Sequence, residues 1–268
     1  VLEGPYQFEV ATFRSDGQYI DGRHPVEVRF SNEEEDARRR DFTINGMFYD
    51  PIAKKIVDYV GGQTDIKAGL IRCIGDPRER FTEDKLRLMR AVRFATQLDY
   101  KIEPKTYQAV LDLADQIPIV SAERIRDELS KMLIGPRPAQ GLRTLHQTRL
   151  LKAILPEVAA MEGVQQPPEF HPEGDVWVHT LLLLERMAPA SSFDFALSVL
   201  LHDLGKPPTF SPPKADKDRI RFDNHCQVGA EMADQICTLL KLSRKQTEKV
   251  VELVREHLRF KDVRQMRE

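Results

Sequence analysis

Only three cysteines and a single tryptophan occur in the 268 residues. Cys73, Cys226 and Cys237 are far apart and make no C-x-x-C pair, which excludes a disulfide framework and predicts a reducing, cytoplasmic setting. Long apolar runs are missing too. The longest, Leu181–Leu184, is far too short to span a bilayer and no signal peptide is visible, so no membrane partner is expected. Neither sign of charge dominates, with 40 Lys and Arg against 42 Asp and Glu. That balance removes any global argument for nucleic-acid binding; RNA contact must come from local clusters, and DNA is not an expected partner. Internal repeats and low-complexity tracts are absent. What is present is a hydrophobic fraction of 41%, enough for two or three small cored domains and incompatible with a disordered chain.

The pattern changes character twice along the chain. Strands are expected near residues 6–13, 26–30, 55–59 and 71–74, with Phe8 and Val10 sharing one face of the first. So few strands suggest the remnant of a larger sheet, and the chain is expected to open in mid-domain at Val1. Asp50-Pro51 and Gly61-Gly62 are turn signals. From Glu83 onward the periodicity is helical, over Glu83–Thr96, Pro104–Ala114, Ala122–Leu133 and Pro138–Thr148. Pro104 suits a first helical turn and Ser121 an N-cap. Gln165-Gln166-Pro167-Pro168 cannot continue a helix. Beyond it helices recur near 175–188, 193–203, 225–240 and 243–258, around a polar loop from Pro207 to Asp223. The fold class is α+β, divided into a partial head domain (1–75), an all-α neck or body (76–164) and a second all-α unit (165–268).

Two clusters carry chemistry in the first half. Arg39-Arg40-Asp41-Phe42-Thr43-Ile44-Asn45 packs two guanidiniums, a carboxylate and two hydrogen-bonding side chains into seven positions. Guanidiniums fit triphosphate oxygens through paired donors, and a carboxylate beside them can accept from ribose hydroxyls. By composition alone a solvated helix end over Glu33–Asp41 is the commoner explanation. Phe42, Ile44 and Met47 are expected to form the buried anchor. The second cluster is Glu83-Asp84-Lys85-Leu86-Arg87-Leu88-Met89-Arg90. On one continuous helix Glu83, Asp84, Arg87 and Arg90 fall within about 120° of one another, opposite Leu88, Met89, Val92 and Ala95. Either this is an amphipathic helix with ion pairs of about 0.2–0.5 kcal/mol each, or its carboxylates and guanidinium match the Watson–Crick edge of a base. Spacing alone does not choose.

The second half carries histidines. Five of the seven, His171, His179, His202, His225 and His257, lie in it, and His202 is followed by Asp203-Leu204-Gly205-Lys206-Pro207. A lone histidine on an apolar helix is usually a satisfied core residue. Four at helical positions, with a His-Asp doublet, instead suit a divalent transition metal, with no clear preference among Mn, Fe, Ni and Zn.

The order of motifs is more specific than any one of them. Phe8–Arg14, Tyr19, Asp21–Pro25, Arg39–Asn45, Asp58 with Gly61-Gly62 and Asp65, then Ile71-Arg72, Gly75–Pro77, Arg80-Phe81, Glu83-Asp84, Leu86-Arg87, Arg90-Ala91 and Arg93–Ala95, run in unbroken order. With Ser121, Glu123–Ile125 and Glu128, they resemble class II tRNA nucleotidyltransferases (CCA-adding enzymes) and bacterial poly(A) polymerases. The resemblance implies a polymerase-β-like head, Mg2+ for nucleotidyl transfer, and ATP, CTP and the tRNA 3′ end as partners. It further implies that Arg39, Arg40, Asp41 and Asn45 touch sugar and phosphates. Asp84 and Arg87 would read the base, beside Arg90, with Arg124 and Glu128 bracing that helix. Lys85 and Gly46 stand where the family often has proline and alanine. The family's Gly-Gly turn and Asp-x-Asp pair are expected to precede Val1, so the chain alone is expected not to polymerise. Glu9 is either a remaining metal-site carboxylate or an ordinary strand residue.

His179-Thr180-Leu181, His202–Pro207, His225 with Gly229-Ala230, and His257 resemble the HD phosphohydrolase superfamily. This implies His179, His202 and Asp203 as metal ligands, with His225 and His257 completing one site or a second ion, and Lys206 steadying a phosphate oxygen. Asp262 is the candidate for the superfamily's late aspartate, although His257 fits the spacing better. An HD domain after the neck favours CCA addition over poly(A) synthesis, by resemblance alone. Two alternatives stand beside it: a metal-dependent phosphohydrolase acting on 2′,3′-cyclic or 2′-phosphate ends, and a non-catalytic RNA-binding chain. Arg124, Arg126, Lys131, Arg137, Arg143 and Arg149 are the expected tRNA backbone contacts, or else a solvated helical face.

Overall fold

A computed structural model describes residues 2–3, 6–7, 10–17, 27–214 and 218–259, which form two compact units, 1–113 and 114–268. Phe8, Glu9, Tyr19, Asp21–Pro25 and Asp262 lie outside the described residues.

The first unit mixes short strands with helices, and its described sheets are all two-stranded. Arg14–Asp16 runs antiparallel to Val28–Phe30, and Met47–Asp50 pairs with Lys55–Asp58 through the turn that Asp50-Pro51 signals. Leu70–Ile71 lies parallel to Lys101–Ile102, while Cys73 bridges singly to Phe42. The strand expected over 6–13 is not continuous. Tyr6–Gln7 pairs with Leu2–Glu3, and among the described residues nothing covers Val10, which is 81% exposed and outside any strand.

The helices begin where the sequence supplies caps. Helix α1 (Glu33–Arg38) starts on Asn32, whose side chain accepts from the Glu35 N–H, and carries four acidic residues at its positive end. Helix α2 (Gly62–Ala68) starts on the Asp58 carboxylate, which accepts from the N–H groups of Val60, Gly61, Gly62 and Gln63. Gly62 is required by close approach, because a Cβ there would overlap the Thr43 carbonyl oxygen and Met47. Asp76 caps α3 (Pro77–Glu83), with Pro77 in the first turn.

The single helix expected over Glu83–Thr96 is two helices. Asp84 is extended (φ −147°, ψ 106°), and its carboxylate accepts from the Leu86 N–H to start α4 (Leu86–Leu98). A short acidic side chain competing for backbone donors breaks the ladder. Leu88, Met89, Val92 and Ala95 are buried as the apolar face predicts, with Phe42, Ile71 and Phe81. Ile44 and Met47 are only half-buried; Thr43 is buried instead, its hydroxyl donating to Asp65 at 2.7 Å. Helix α5 (Pro104–Leu113) completes the unit.

The second unit is helical. After a 3-10 stretch, Ala114–Ile119, come α6 (Ala122–Leu133), α7 (Pro138–Gln147), α8 (Leu150–Ile154) and α9 (Pro156–Ala159). Helices α10 (Val176–Glu185), α11 (Phe193–Leu201), α12 (His225–Leu239) and α13 (Arg244–Glu256) follow. Ser121 occupies the N-cap position of α6, yet its hydroxyl makes no capping bond. Helix α11 packs between α10 and α13, which explains why Ala196, Leu197, Leu200 and Leu201 are all buried. The polar loop after it is pinned by a small hairpin, Phe210–Ser211 against Arg221–Phe222. Among the described residues no helix is long and apolar enough to cross a membrane.

Two consequences are measurable. Gly62→Ala is expected to destabilise the chain by about 1–3 kcal/mol, read from the denaturant midpoint, because the added methyl has no room; an unchanged midpoint contradicts the close approach. Burial raises the carboxyls of Asp36 and Asp58, but the guanidiniums on Asp36 and the four backbone donors on Asp58 more than offset it and hold both below the usual range. Their contribution is therefore full above an unfolded value of about 3.9 and lost as pH falls through the lower folded values. Asp58→Asn is expected to flatten the acid limb of stability against pH; an unaltered limb refutes the assignment.

Candidate nucleotide site and candidate metal centre

In the first unit the Arg39–Asn45 segment follows α1 and runs against residues 72–74, with Thr43 N–H donating to Arg72 O and Ile74 N–H to Asp41 O. Asp41 is a junction. One oxygen accepts from Asn45 Nδ2 at 3.1 Å and from the Phe42 N–H, and the other from Arg90 Nε at 2.6 Å. Arg90 comes from α4, so the two clusters meet through one carboxylate. Arg39 and Arg40 both turn onto Asp36, at 2.5 and 2.8 Å, and Arg40 also donates to Asn45 O. Asp36 is 2% exposed, and two guanidiniums satisfy a buried carboxylate that would otherwise be very costly.

Glu83 organises the second cluster despite lying on α3. Its carboxylate accepts from Arg87 at 2.6 Å and Arg80 at 2.9 Å, while Arg87 also donates to the Arg80 carbonyl. Arg87 is buried and so enters any binding event already oriented. Arg124 lies in the first turn of α6, in the second unit. Of the basic residues expected to face RNA, Arg126 pairs with Asp127, Lys131 with Glu128 and Arg143 with Glu185. Asp36, which positions Arg39 and Arg40, carried no sequence signal beyond its proximity to the motif, whereas Arg80 stood in the motif series without an assigned role.

In the second unit the helix ends bring the histidines together. His179 lies on α10, His202 closes α11, His225 opens α12 and His257 follows α13. All four surround the Asp203 carboxylate. Nε2 of His202 and of His179 lie 3.1 and 4.0 Å from Oδ2, and those of His257 and His225 lie 3.5 and 3.9 Å from Oδ1. Every Nδ1 is engaged on the outer side: His202 with Val199 O, His225 with Phe222 O, His257 with Val254 O, and His179 with Glu173 at 2.5 Å. Carbonyls accept only from N–H, so the three imidazoles on them carry their proton on Nδ1 and turn the Nε2 lone pair inward.

That arrangement fits a metal. The Nε2 atoms of His202 and His257 are buried and have no hydrogen-bond partner. Imidazoles tied at one nitrogen and bare at the other are the usual form of metal-ligating histidine. Burial pushes His179 and His225 below the ordinary imidazole pKa, which keeps them neutral and able to ligate. Burial alone would raise the Asp203 carboxyl, yet it is held well below the usual range, and with the imidazole lone pairs turned inward the donor on it is Lys206. Lys206 Nζ donates to Asp203 Oδ2 at 2.7 Å and to Gln166 Oε1 at 2.6 Å, so one donor holds the carboxylate and a second is tied to Gln166. Gly205 makes the chain path possible, since a Cβ there would overlap the start of α12. A cavity of about 610 Å³ opens onto His179, His202, Asp203 and His257, with Leu183, Phe195, Val199 and Leu253 on its apolar wall.

Glu173 and Gln166 carry out positioning that motif spacing did not reveal. Glu173 joins His171 and His179, and burial, which would raise it, is overcome by backbone and imidazole donors that bring it to about 2. Gln166 sits in the stretch read only as a helix break.

Three family models match the chain: the poly A polymerase head domain over residues 1–72, the probable RNA and SrmB- binding site of polymerase A over 99–162, and the HD domain over 176–267. Head, RNA-binding segment and HD domain in this order place the chain in the tRNA nucleotidyltransferase and poly(A) polymerase family. Within that family it is 41% identical over 190 residues to the CCA-adding enzyme of Lactobacillus helveticus, covering 69% of this chain and 47% of that protein. It is 37% identical over 235 residues to the A-adding tRNA nucleotidyltransferase of Deinococcus radiodurans (85% and 53%). Against the multifunctional CCA protein of Stenotrophomonas maltophilia it is 34% identical over 242 residues (88% and 58%). The chain thus spans about half the length of these relatives. Its fold is similar to the crystal structure of the Bacillus stearothermophilus CCA-adding enzyme in complex with CTP, with a TM-score of 0.54 at 24% identity over 94% of this chain and 63% of that one.

Protein purified without chelator is expected to contain a divalent transition ion by elemental analysis, and His202→Ala to lose it. Metal-free protein of undiminished stability would end the assignment.

Proposed function

We propose that the chain acts in template-independent addition of nucleotides to RNA 3′ ends, CCA on tRNA from CTP and ATP, with side chains of α3 and α4 in place of a nucleic-acid template. The observation that supports this most is the Asp41–Arg90 pair, which ties the expected sugar-binding segment to the expected base-reading helix. Arg87, clamped by Glu83, presents a fixed guanidinium, and Asp84, held extended between two helices, presents an acceptor. A site of pre-positioned donors and acceptors rejects a mispaired base because its polar groups are left unsatisfied. Magnesium would supply charge stabilisation for nucleotidyl transfer, as divalent ions do for phosphoryl chemistry generally. The relatives named CCA-adding and A-adding agree with this reading.

Its test is equilibrium binding of the four nucleoside triphosphates. The chain is expected to prefer ATP and CTP over GTP and UTP. Arg87→Ala should erase about tenfold or more of that preference, the worth of one hydrogen bond to a charged group. Equal binding of all four, or a preference that survives in Arg87→Ala, refutes the base-reading role.

A second activity has its own observation. His202 and His257, whose buried Nε2 atoms have no hydrogen-bond partner, line a cavity large enough for a nucleotide end. We propose that this centre hydrolyses phosphoesters, 2′,3′-cyclic or 2′-phosphate ends, in line with relatives named multifunctional. A bound divalent ion would acidify a water for the attack. His179, His202 and Asp203 would hold it, with Glu173 fixing His179 and Lys206 fixing Asp203. Turnover of 2′,3′-cyclic nucleotides with added Mn2+ or Ni2+, lost in Asp203→Asn, is the expected result; no turnover with either ion counts against it.

A further inference from the structure

Two helix faces line the cavity in step. Helix α10, with the residue that ends it, contributes His179, Leu183 and Arg186, and α11 contributes Phe195, Val199 and His202. Steps of three and four residues keep each set on one face. The two helices pack together across a short connection, and the His179 and His202 rings lie 5.4 Å apart at one end. Arg186 and Phe195 each stand seven residues from the histidine of their own helix, about 10 Å of helical rise, so they share the opposite end. The cavity therefore runs from a histidine end to a far end that carries a guanidinium and an aromatic ring.

Both far-end groups are uncommitted. Arg186 is exposed, and no carboxylate among the described residues pairs with its guanidinium; its neighbour Glu185 pairs with Arg143 instead. Lys206, the other cation on the lining, already donates to Asp203 and Gln166. Phe195 is 42% exposed, and its ring meets no other aromatic ring among the described residues. The helix dipole favours a cation at a C-terminus. That accounts for a basic residue at the end of α10, but not for its place on a cavity lining beside an exposed ring.

Building on the phosphohydrolase reading of the histidine centre, we propose that Arg186 and Phe195 set the specificity of this site. With a ribose phosphate at the histidine end, Phe195 stacks on the base and Arg186 binds a second phosphate, the one on the 5′ side of the same sugar. Guanidiniums hold phosphate oxygens through paired donors. Aromatic faces stack on every base, so this wall selects little among bases. A cavity of about 610 Å³ is of the size that encloses a small ligand. The site thereby prefers a nucleotide phosphorylated on both sides of its ribose to one phosphorylated on the 2′,3′ side alone.

Three adenosine 2′,3′-cyclic phosphates test this on the full chain with added Mn2+ or Ni2+. One has a free 5′-hydroxyl, one a 5′-phosphate, and one a 5′-phosphodiester to a preceding nucleotide. A phosphate on the 5′ side is expected to raise kcat/KM about tenfold or more, the worth of a hydrogen bond to a charged group. In Arg186→Gln that advantage is expected to vanish, and in Arg186→Lys to survive in part. Phe195→Ala is expected to raise KM for all three about fivefold or more through the lost stack. A gain with the diester identifies an RNA chain end as the substrate and a gain confined to the monoester a free nucleotide; both support the second-phosphate site. Equal kcat/KM for all three in the wild-type chain overturns it, and so does an advantage that survives in Arg186→Gln. The wild-type comparison decides even if the variant does not fold. Unchanged KM in Phe195→Ala overturns the placement of the base. Absence of turnover with all three counts against the phosphohydrolase reading, and equilibrium binding then judges Arg186 by itself. Adenosine 3′,5′-bisphosphate must bind more tightly than adenosine 3′-phosphate, by a margin that Arg186→Gln removes, or the second-phosphate site is overturned as well.

Discussion

The buried charge of Asp203 is the constraint around which the second unit is arranged. A carboxylate 1% exposed must be compensated from within the protein; Lys206 donates to it, and four helices turn imidazole Nε2 lone pairs toward it, an arrangement that calls for a cation among them. Each helix must therefore end or begin at a fixed place. Helix α11 stops at His202 and α12 starts at His225, with Gly205 allowing the two ends to touch. The apolar packing of α10, α11 and α13 supplies stability in bulk, but the carboxylate sets their register relative to one another.

The first unit obeys the same logic with guanidiniums in place of imidazoles. Asp36, Asp41 and Glu83 each hold two or more donors from different elements, so the arginines around them are oriented before any ligand arrives. Orientation in advance lowers the entropic cost of recognition and makes a mismatch costly. Arg39 and Arg40 show the other side of this. Both are committed to Asp36, so contact with a phosphate would have to compete with an existing ion pair.

Much of this was legible in the sequence where a physical signal was local. The boundaries of α6 followed from its apolar period. The clustering of His179, His202, His225 and His257 followed from the resemblance carried by the His-Asp doublet, and the buried face of α4 from Leu88, Met89 and Val92. The failures have a common cause in long-range partners. Periodicity ran one helix through Asp84 because nothing in spacing reveals a carboxylate that caps the next helix instead. The 6–13 strand read as continuous because alternation says nothing about whether a neighbour covers Val10. Glu173 and Gln166 were invisible for the same reason: each acts on a residue brought near by the fold, His179 and Lys206 respectively. Lys206 read as steadying a phosphate oxygen, and its contact with the buried carboxylate three residues before it was not part of that reading.

The outer hydrogen bonds of the histidines have a further meaning. His202, His225 and His257 each donate to a carbonyl three residues earlier, at Val199, Phe222 and Val254. For His202 and His257 that carbonyl belongs to the last turn of a helix, the part that frays first. Opening of that turn would release the imidazole and so loosen its grip on an ion; an ion, once held, would suppress the opening. Metal occupancy and helix-end fraying are then two measures of one equilibrium, and amide exchange at the ends of α11 and α13 becomes a gauge of how tightly the centre is loaded.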